Sequence, residues 1–351
     1  MGVVKNNKIY VLHKRGAVSH YMALEFLLKS HGLTLEFREF AVLTKIFKSI
    51  KSLDFGLLFK QVINIGFMFN LFFSSKKKIV IGIEPFDKRI IFIRNLVRRH
   101  NVYYHTSWAC WDGTFHPKHS KNSKIYENWK SFLTSDCKHI FTVTNESRKE
   151  ISKNFKISND KISVVYHSVK FPNVPLNITK KPLSFIYFGR LVKQKGVIEL
   201  INFFKNNPAA SFTLIGNGPL EKEIVKLTSG CSNINYLPHI SEKNKLLKIV
   251  AEHQYFVMNS KKTNSWEELF GIALIESMQM GLIAIATDHV GPSEILDDKC
   301  GYLISEGDIC HCLKKIINKN NFSQSMSKKS MLRASDFELQ KISKNWIEIL
   351  T

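Results

Sequence analysis

The stretch Ser265–Thr287, SWEELFGIALIESMQMGLIAIAT, decides how the chain is read. Glu268 and Gly271 precede an apolar run, Ile272 to Ile275, that continues through Met278 and Met280 and stops at Gly281, the pattern of a helix closed by a glycine. Leu282–Ala286 then has the unbroken apolar character of a buried parallel strand. A loop that enters a helix presents unpaired backbone N–H groups and the positive end of the helix dipole. Phe270, Gly271 and Ile272 are therefore predicted to receive a diphosphate or a polyhydroxyl group, with Gly271 allowing close approach. Glu268 stands at the mouth of this site. Glu276, about two turns into the helix, has a side chain tilted back toward the same end, so both carboxylates are expected to face one ligand. The alternative is that Glu268 only caps the dipole and Glu276 is a partly solvated helix residue.

Working outward, FIYFGRLVKQKG from Phe185 reads as a strand, its exit at Gly189-Arg190, and a helix entry at Lys195-Gly196. Two cations beside a helix N-terminus suit a diphosphate. FTLIGNGP from Phe212 is another strand and turn, and VGPSEIL from Val290 follows the central strand. These segments, in this order, together with Glu268, Phe270, Gly271, Glu276 and Gly281, resemble glycosyltransferase family 4 and its E-x7-E signature, most strongly over residues 183–305. The resemblance implies the GT-B architecture, an α/β fold of two doubly wound Rossmann-like domains facing across a cleft. It also implies sugar transfer from a nucleotide-diphosphate donor with retention of configuration. Within it, Arg190 and Lys195 neutralise the diphosphate, Glu276 holds the ribose hydroxyls and Glu268 positions the sugar. The sequence has no Asp-x-Asp triplet to hold a divalent ion, so no metal and no cofactor beyond the co-substrate is expected.

The N-terminal half matches the family less closely. Lys8–Leu12 is a predicted strand, followed by a loop with the single Gly16 where the family often has a Gly-Gly pair; Gly16 is counted among the donor-binding candidates. Asn101–His105 is a strand, and His105 at its C-terminal end lies where ligands collect in doubly wound sheets. The family carries a histidine there beside the donor sugar, which makes His105 a catalytic candidate with Glu268, Arg190 and Lys195. The alternative is a satisfied structural histidine. Two further departures are His167-Ser168 for the usual Asn-Gly and Asn259-Ser260 for the usual Pro-Ser. The loop Trp108–Tyr126, with Trp108, Trp111, Phe115, His116 and His119, is an acceptor-loop candidate; its rings would stack on sugars and bases alike.

Length and composition set the outer limits. The 351 residues suit two domains, predicted at 1–172 and 173–335, with 336–351 a helix crossing back to the first domain. Phe171–Pro182, with Pro172, Pro175 and Pro182, is the predicted linker. Lys and Arg number 51 against 29 Asp and Glu, a net charge of +22 that calls for an anionic neighbour: nucleic acid, an anionic membrane, or phosphorylated ligands. Much basic character lies in Ala41–Lys78, where lysines alternate with aliphatic and aromatic residues. The apolar run Gln61–Ser75, interrupted by Gln61, Asn64 and Asn70, is read as too short for a span, which needs about 18 clean apolar residues. Either a helix lying in an anionic interface or an ordinary core helix with a solvated lysine face fits it. Six cysteines show no zinc spacing and are expected to be reduced; with no apolar signal core at Met1–Asn7, the expected location is cytoplasmic, peripheral on the inner membrane face.

The expected function is glycosyl transfer to a glycan or lipid-linked acceptor in cell-surface polysaccharide synthesis, such as O-antigen, capsule or lipopolysaccharide. A sugar-nucleotide epimerase of the same fold is one alternative. A basic nucleic-acid-binding protein is the other, and two carboxylates at the ligand site argue against nucleic acid as a partner.

Overall fold

The structure is a computed structural model that describes residues 7–14, 18–119, 122–171, 173–174 and 178–351, the side chain of Lys48 excepted. Gly16, Pro172 and Pro175 lie outside the described residues. The chain divides into two compact units, Met1–Ser168 with Leu339–Thr351, and Val169–Glu338. These divisions fall a few residues from the predicted 172/173 and 335/336.

Unit 1 contains the strands β1 (Lys8–His13), β2 (Thr34–Glu39), β3 (Lys78–Gly82), β4 (Asn101–Thr106), β5 (Cys137–Thr142) and β6 (Ile162–Val164). Its helices are α1 (Met22–Ser30), α2 (Val42–Ser52), α3 (Phe55–Phe73), α4 (Ile90–Val97), α5 (Ser123–Ser131) and α6 (Asn145–Phe155). The strands pair in parallel in the order β2-β1-β3-β4-β5-β6. Both faces of this sheet are covered, which is why its strands read as unbroken apolar runs. Tyr10, Leu12, Ile79 and Ile81 join one core, whereas their neighbours Ile9, Val11 and Val80 join the other, with Trp346 and Ile349 from the chain's end. Lys78 Nζ ties that end down, donating to the carbonyls of Ile349 at 2.8 Å and Leu350 at 2.7 Å. The end itself is a short helix, Leu339–Ser343, and a 3-10 stretch, Lys344–Ile349, not the single helix expected over 336–351.

The segment Ala41–Lys78 is a helical hairpin. Leu53, at φ 51° in the left-handed region, ends α2, and the Asp54 carboxylate caps α3 by accepting from Leu57 N at 2.8 Å. At 19 residues α3 is longer than the apolar run read from the sequence, and by length and composition it could cross a membrane. The difference arises because Phe55–Lys60 continue the helix, and because Gln61 and Asn64 fall on its buried face instead of breaking it.

Unit 2 contains β7 (Ser184–Phe188), β8 (Ser211–Ile215), β9 (Ile234–Leu237), β10 (Tyr255–Met258), β11 (Ile283–Thr287) and β12 (Gly301–Ile304). The helices are α7 (Val197–Lys205), α8 (Glu221–Thr228), α9 (Lys243–Ala251), α10 (Ile272–Gln279), α11 (Val290–Ile295), α12 (Ile309–Lys319) and α13 (Gln324–Ala334). The parallel order β12-β11-β10-β7-β8-β9 reverses direction between β7 and β10, the point where ligands gather in such sheets. Its core includes Phe185, Tyr187, Phe212, Leu214, Val257, Ile283 and Ile285. The predicted linker is partly built into this unit: Lys180 Nζ donates to the carbonyls of Ala251, His253 and Met280 at 3.1, 3.0 and 2.8 Å. Two doubly wound parallel sheets of this kind are the GT-B fold.

Candidate active site

In unit 2 the loops at the carboxyl ends of β7, β8 and β10 fit together through glycines. A Cβ on Gly216 would lie 1.9 Å from Gly189 O, so only glycine lets these loops meet. Gly189 N then donates to Ile215 O at 2.9 Å and Leu191 N to Asn217 O at 2.8 Å. The Tyr187 hydroxyl holds the Arg190 carbonyl at 2.8 Å, leaving the Arg190 side chain exposed. At Gly196, φ 60°, a Cβ would sit 2.3 Å from Asn259 O; the Asn259 amide donates instead to Gly196 O at 3.2 Å and to Glu199 at 3.0 Å. Lys195 is thereby carried to the loop after β10.

There Lys195 forms an ion pair with Glu268, both side chains nearly buried, and Ser260 Oγ donates to the same carboxylate oxygen at 3.0 Å. The Lys195 ammonium also lies 5.1 Å from the Trp266 ring centroid. Glu268 thus meets a residue 73 positions earlier, which no reading of the helix-entry loop alone contains. Gly271, at φ 122°, is the N-cap of α10 and no side chain caps that end. Phe270 is buried, its ring 6.1 Å from that of Phe337. The loop is braced by α11: Gly291 N donates to Glu268 O at 3.0 Å, and a Cβ on Gly291 would lie 2.0 Å from Phe270 O.

Glu276, on α10, is paired with Lys243, and burial raises its pKa. The two signature carboxylates therefore hold different lysines. A further acidic residue, Glu267, lies 2.8 Å from Lys262 and 3.8 Å from His289. Burial opposes its charge, but the bonds from His289 and Lys262 win and lower its pKa to about 2. His289 Nε2 is 2.9 Å from Ser260 O. Among the predicted residues, the structure brings together Lys195 and Glu268 directly. It adds Ser260, Trp266 and Lys243, which the motif reading did not single out as partners.

Unit 1 carries its own cavity of about 370 Å³ at the carboxyl ends of β1, β3 and β4, lined by His13, His20, Glu84, His105, Trp108 and His116 among others. Gly82 makes room for it, since a Cβ there would lie 2.3 Å from the His13 ring. His105 is buried, its ring 4.8 Å from Tyr21, and its Nε2 has no partner among the described residues. Burial, with His167, His20 and His13 nearby, drives its pKa well below the ordinary value. His13 is lowered to about 4, mainly by burial, and His20 is lowered for the same reason. These are neutral imidazoles, suited to hydrogen bonds with hydroxyl groups and not to holding an anion. Charge is supplied by Glu84, 3.4 Å from Lys14 and 3.3 Å from His116. In the aromatic loop, Trp108 and His116 line the cavity, but Trp111 is buried and bonded to Trp108 O at 2.9 Å, and His119 to Trp111 O at 3.1 Å. Those two pack the loop. No cluster of three or more metal-ligating side chains occurs among the described residues.

Residues 172–331 match the family described as Glycosyl transferases group 1. An uncharacterized glycosyltransferase of Methanocaldococcus jannaschii, MJ1059, is 28% identical over 256 residues, 59% of this chain and 62% of that protein. The capsular polysaccharide biosynthesis glycosyltransferase CapM of Staphylococcus aureus is 26% identical over 181 residues, 49% of this chain and 44% of that protein. Less than two thirds of either relative is covered. The structure of Anabaena HepE in complex with UDP has a TM-score of 0.66 at 14% identity, covering 98% of this chain and 99% of that one, a likeness of fold. The family match therefore falls within the second unit and its parallel sheet, which resembles the group 1 glycosyl transferases in sequence.

Proposed function

We propose that the chain transfers a glycosyl group from a nucleotide-diphosphate sugar, bound by unit 2, to a hydroxyl of a glycan or lipid-linked acceptor, bound by unit 1, with retention of configuration. The observation that carries this reading is the convergence of Lys195, Ser260 and Glu268 at the switch point between β7 and β10, beside the uncapped entry to α10, with Arg190 exposed on the loop that leaves β7. Arg190 and Lys195 are the cations for the diphosphate, with backbone N–H groups near Gly271 adding the helix dipole. Glu268 fixes the Lys195 ammonium and orients the sugar, and Glu276 faces the ribose. The bond from the anomeric carbon to the β-phosphate oxygen breaks, its electron pair passing to that oxygen. The acceptor oxygen bonds to the same carbon and its proton moves to the departing phosphate. Charge grows on the phosphate as this happens, so fixed cations stabilise the transition state more than the ground state. No metal and no cofactor is assigned to the step.

The setting we propose is cell-surface polysaccharide synthesis on the cytoplasmic side; its polysaccharide part is supported by the relatives CapM, named for capsular polysaccharide biosynthesis, and WcaL of Escherichia coli, named as a putative colanic acid biosynthesis glycosyltransferase. HepE, the pneumococcal O-GlcNAc transferase GtfA and TarM are structural neighbours with UDP bound, which makes UDP-sugars the first donors to try. The test is a thermal-shift panel of nucleoside diphosphates and their sugars, followed by turnover with a glycan and lipid-linked acceptor panel in the presence and absence of EDTA. A ligand at about 100 times its dissociation constant adds ~2.7 kcal/mol of stability. Product with the donor's anomeric configuration is expected only when acceptor is present. Donor conversion without acceptor would instead identify an epimerase.

A further inference from the structure

The two helices α2 and α3 carry a surface that nothing in the described residues of unit 1 covers. On α3 the residues Phe55, Phe59, Val62, Phe69 and Phe73 recur at helical spacing and all are exposed, Phe73 by 84%. The opposite stripe, Gln61, Asn64, Phe67 and Leu71, is buried. That buried stripe is fastened to the sheet: Asn64 Oδ1 accepts from Glu39 N at 3.2 Å, Phe67 lies 4.7 Å from Tyr10, and Leu71 O is 3.0 Å from His100 Nε2. On α2, Leu43, Phe47 and Ile50 form a second exposed stripe, and Leu53 at the turn joins the two. A soluble surface rarely concentrates so many large apolar side chains.

Apart from the Asp54 carboxylate that caps α3 at the turn, the charge on and beside the two helices is positive. No Asp or Glu occurs within α2 or α3. The one buried carboxylate beneath them, Glu39, is already held by Lys45 at 2.5 Å and Lys60 at 3.0 Å. Beyond the end of α3, Lys76 N donates to Arg99 O at 2.9 Å and Asn101 N to Lys77 O at 2.8 Å, so Lys76 and Lys77, which follow Phe73 by a few residues, lie alongside the Arg98–Arg99 segment. An apolar face rimmed by cations complements an anionic bilayer surface, where the rings enter the acyl boundary and the cations meet the headgroups.

We infer that the α2–α3 hairpin docks unit 1 onto an anionic lipid surface, with both helices lying in the interface. Although α3 is long enough to span, its docked stripe buries Gln61 and Asn64 against the sheet, and a spanning α3 would have to give up those contacts. If the acceptor proposed above is lipid-linked, this surface brings the transferase to it. That consequence rests on the functional reading; the docking itself does not.

Sedimentation of the full chain with phosphatidylglycerol or phosphatidylcholine vesicles tests the proposal. The chain is expected to pellet with the first and not the second, and to be released by salt. Replacing Lys76, Lys77, Arg98 and Arg99 together by Gln is expected to weaken partition by at least about a hundredfold. The triple change Phe59→Ser, Phe69→Ser, Phe73→Ser is expected to abolish it with circular dichroism and melting midpoint retained, since the three side chains are exposed. A chain carrying Phe69→Trp gives a second reading, a blue-shifted emission component quenched by brominated lipid. Equal recovery in the supernatant with both vesicles would overturn the proposal. So would binding that resists alkaline carbonate, which means a spanning helix, or a dimer dissolved by the Phe changes without vesicle binding, which means a second copy covers the face. Nucleotide-sugar binding, followed in parallel, is expected to persist in every variant; its absence in the unaltered chain would defeat the transferase reading and leave the docking result standing.

Discussion

The two units are built on the same plan and equip it differently. Each is a parallel sheet with its candidate site at the carboxyl ends of its strands. In unit 2 that face is made of short glycine-containing loops bearing fixed charges, with Lys195 and Glu268 nearly buried against each other. In unit 1 it is a cavity of neutral histidines around one Lys14–Glu84 pair, and the charge has moved to the rim of an apolar hairpin. The contrast teaches that the basic composition serves two purposes. On the proposed function, a few cations stabilise developing charge, and the rest form a diffuse field on which no particular geometry depends.

The sharpest break in this comparison is Lys195→Ala, or Arg190→Ala. Each is expected to lower transfer by about 10²–10³, the range for removing one preorganised donor at developing charge. Steady-state kinetics with intact thermal stability checks it, and near-normal turnover in either variant would return these cations to the diffuse class. The corresponding change on unit 1's exposed surface, Lys51→Ala, is expected to leave turnover of a soluble acceptor unchanged.

The histidines of unit 1 make a second separation, in pH. His13 has a folded-state pKa of about 4, below the ordinary 6.5, so the unfolded chain takes up its proton first. Its contribution to stability is whole above 6.5 and is lost as the pH falls from 6.5 toward 4. Burial shifts His20, His105 and His167 in the same direction. Unit 2 has the similarly lowered His253, but His289 is raised and works the other way. Unit 1 is therefore expected to weaken first on acidification, by up to ~3 kcal/mol from His13 alone at ~1.4 kcal/mol per unit. Urea unfolding of a Trp266→Phe chain reads this directly, because the four remaining tryptophans, Trp108, Trp111, Trp129 and Trp346, all belong to unit 1. A urea midpoint of unit 1 that does not fall with acid would contradict the assignment.

Smaller effects distinguish the two signature carboxylates. Glu276→Gln is expected to weaken nucleoside diphosphate binding by about tenfold, ~1.4 kcal/mol, with little change in the rate at saturation. Calorimetric titration measures it, and unchanged affinity would remove the ribose role. Smallest of all, Ser260→Ala deletes one hydrogen bond to Glu268 and is expected to cost about 1 kcal/mol of transition-state stabilisation, a several-fold drop in kcat/KM.

Much of unit 2 was legible because its motifs are local. The glycine, the charged residue and the helix entry of GRLVKQKG lie within a few residues, and the α10 entry, its glycine stop and the β11 run are contiguous. What that reading lacked was partnership: that Lys195 would meet Glu268, that Ser260 would bond the same oxygen, and that Glu276 would hold Lys243. In unit 1 the balance reverses. His105 was legible as the end of a strand, but His13 at the end of β1 meets Gly82 at the end of β3 and Glu84 just beyond it only through the β1-β3-β4 order. The length of α3 was also underestimated, because polar residues inside an apolar run look like interruptions until the face they occupy is known.

The sequence by itself determined the alternation of strand and helix, the glycine stop after α10, the basic balance, and the identity of the charged residues beside the α7 and α10 entries. These are consequences of local sterics and hydrophobic periodicity, which act over a few residues. Only the tertiary structure decided which charges pair, which histidines are stripped of water and held neutral, and which side of α3 remains uncovered. Those outcomes depend on burial and on contacts between residues far apart in the chain, and neither exists until the sheets have formed.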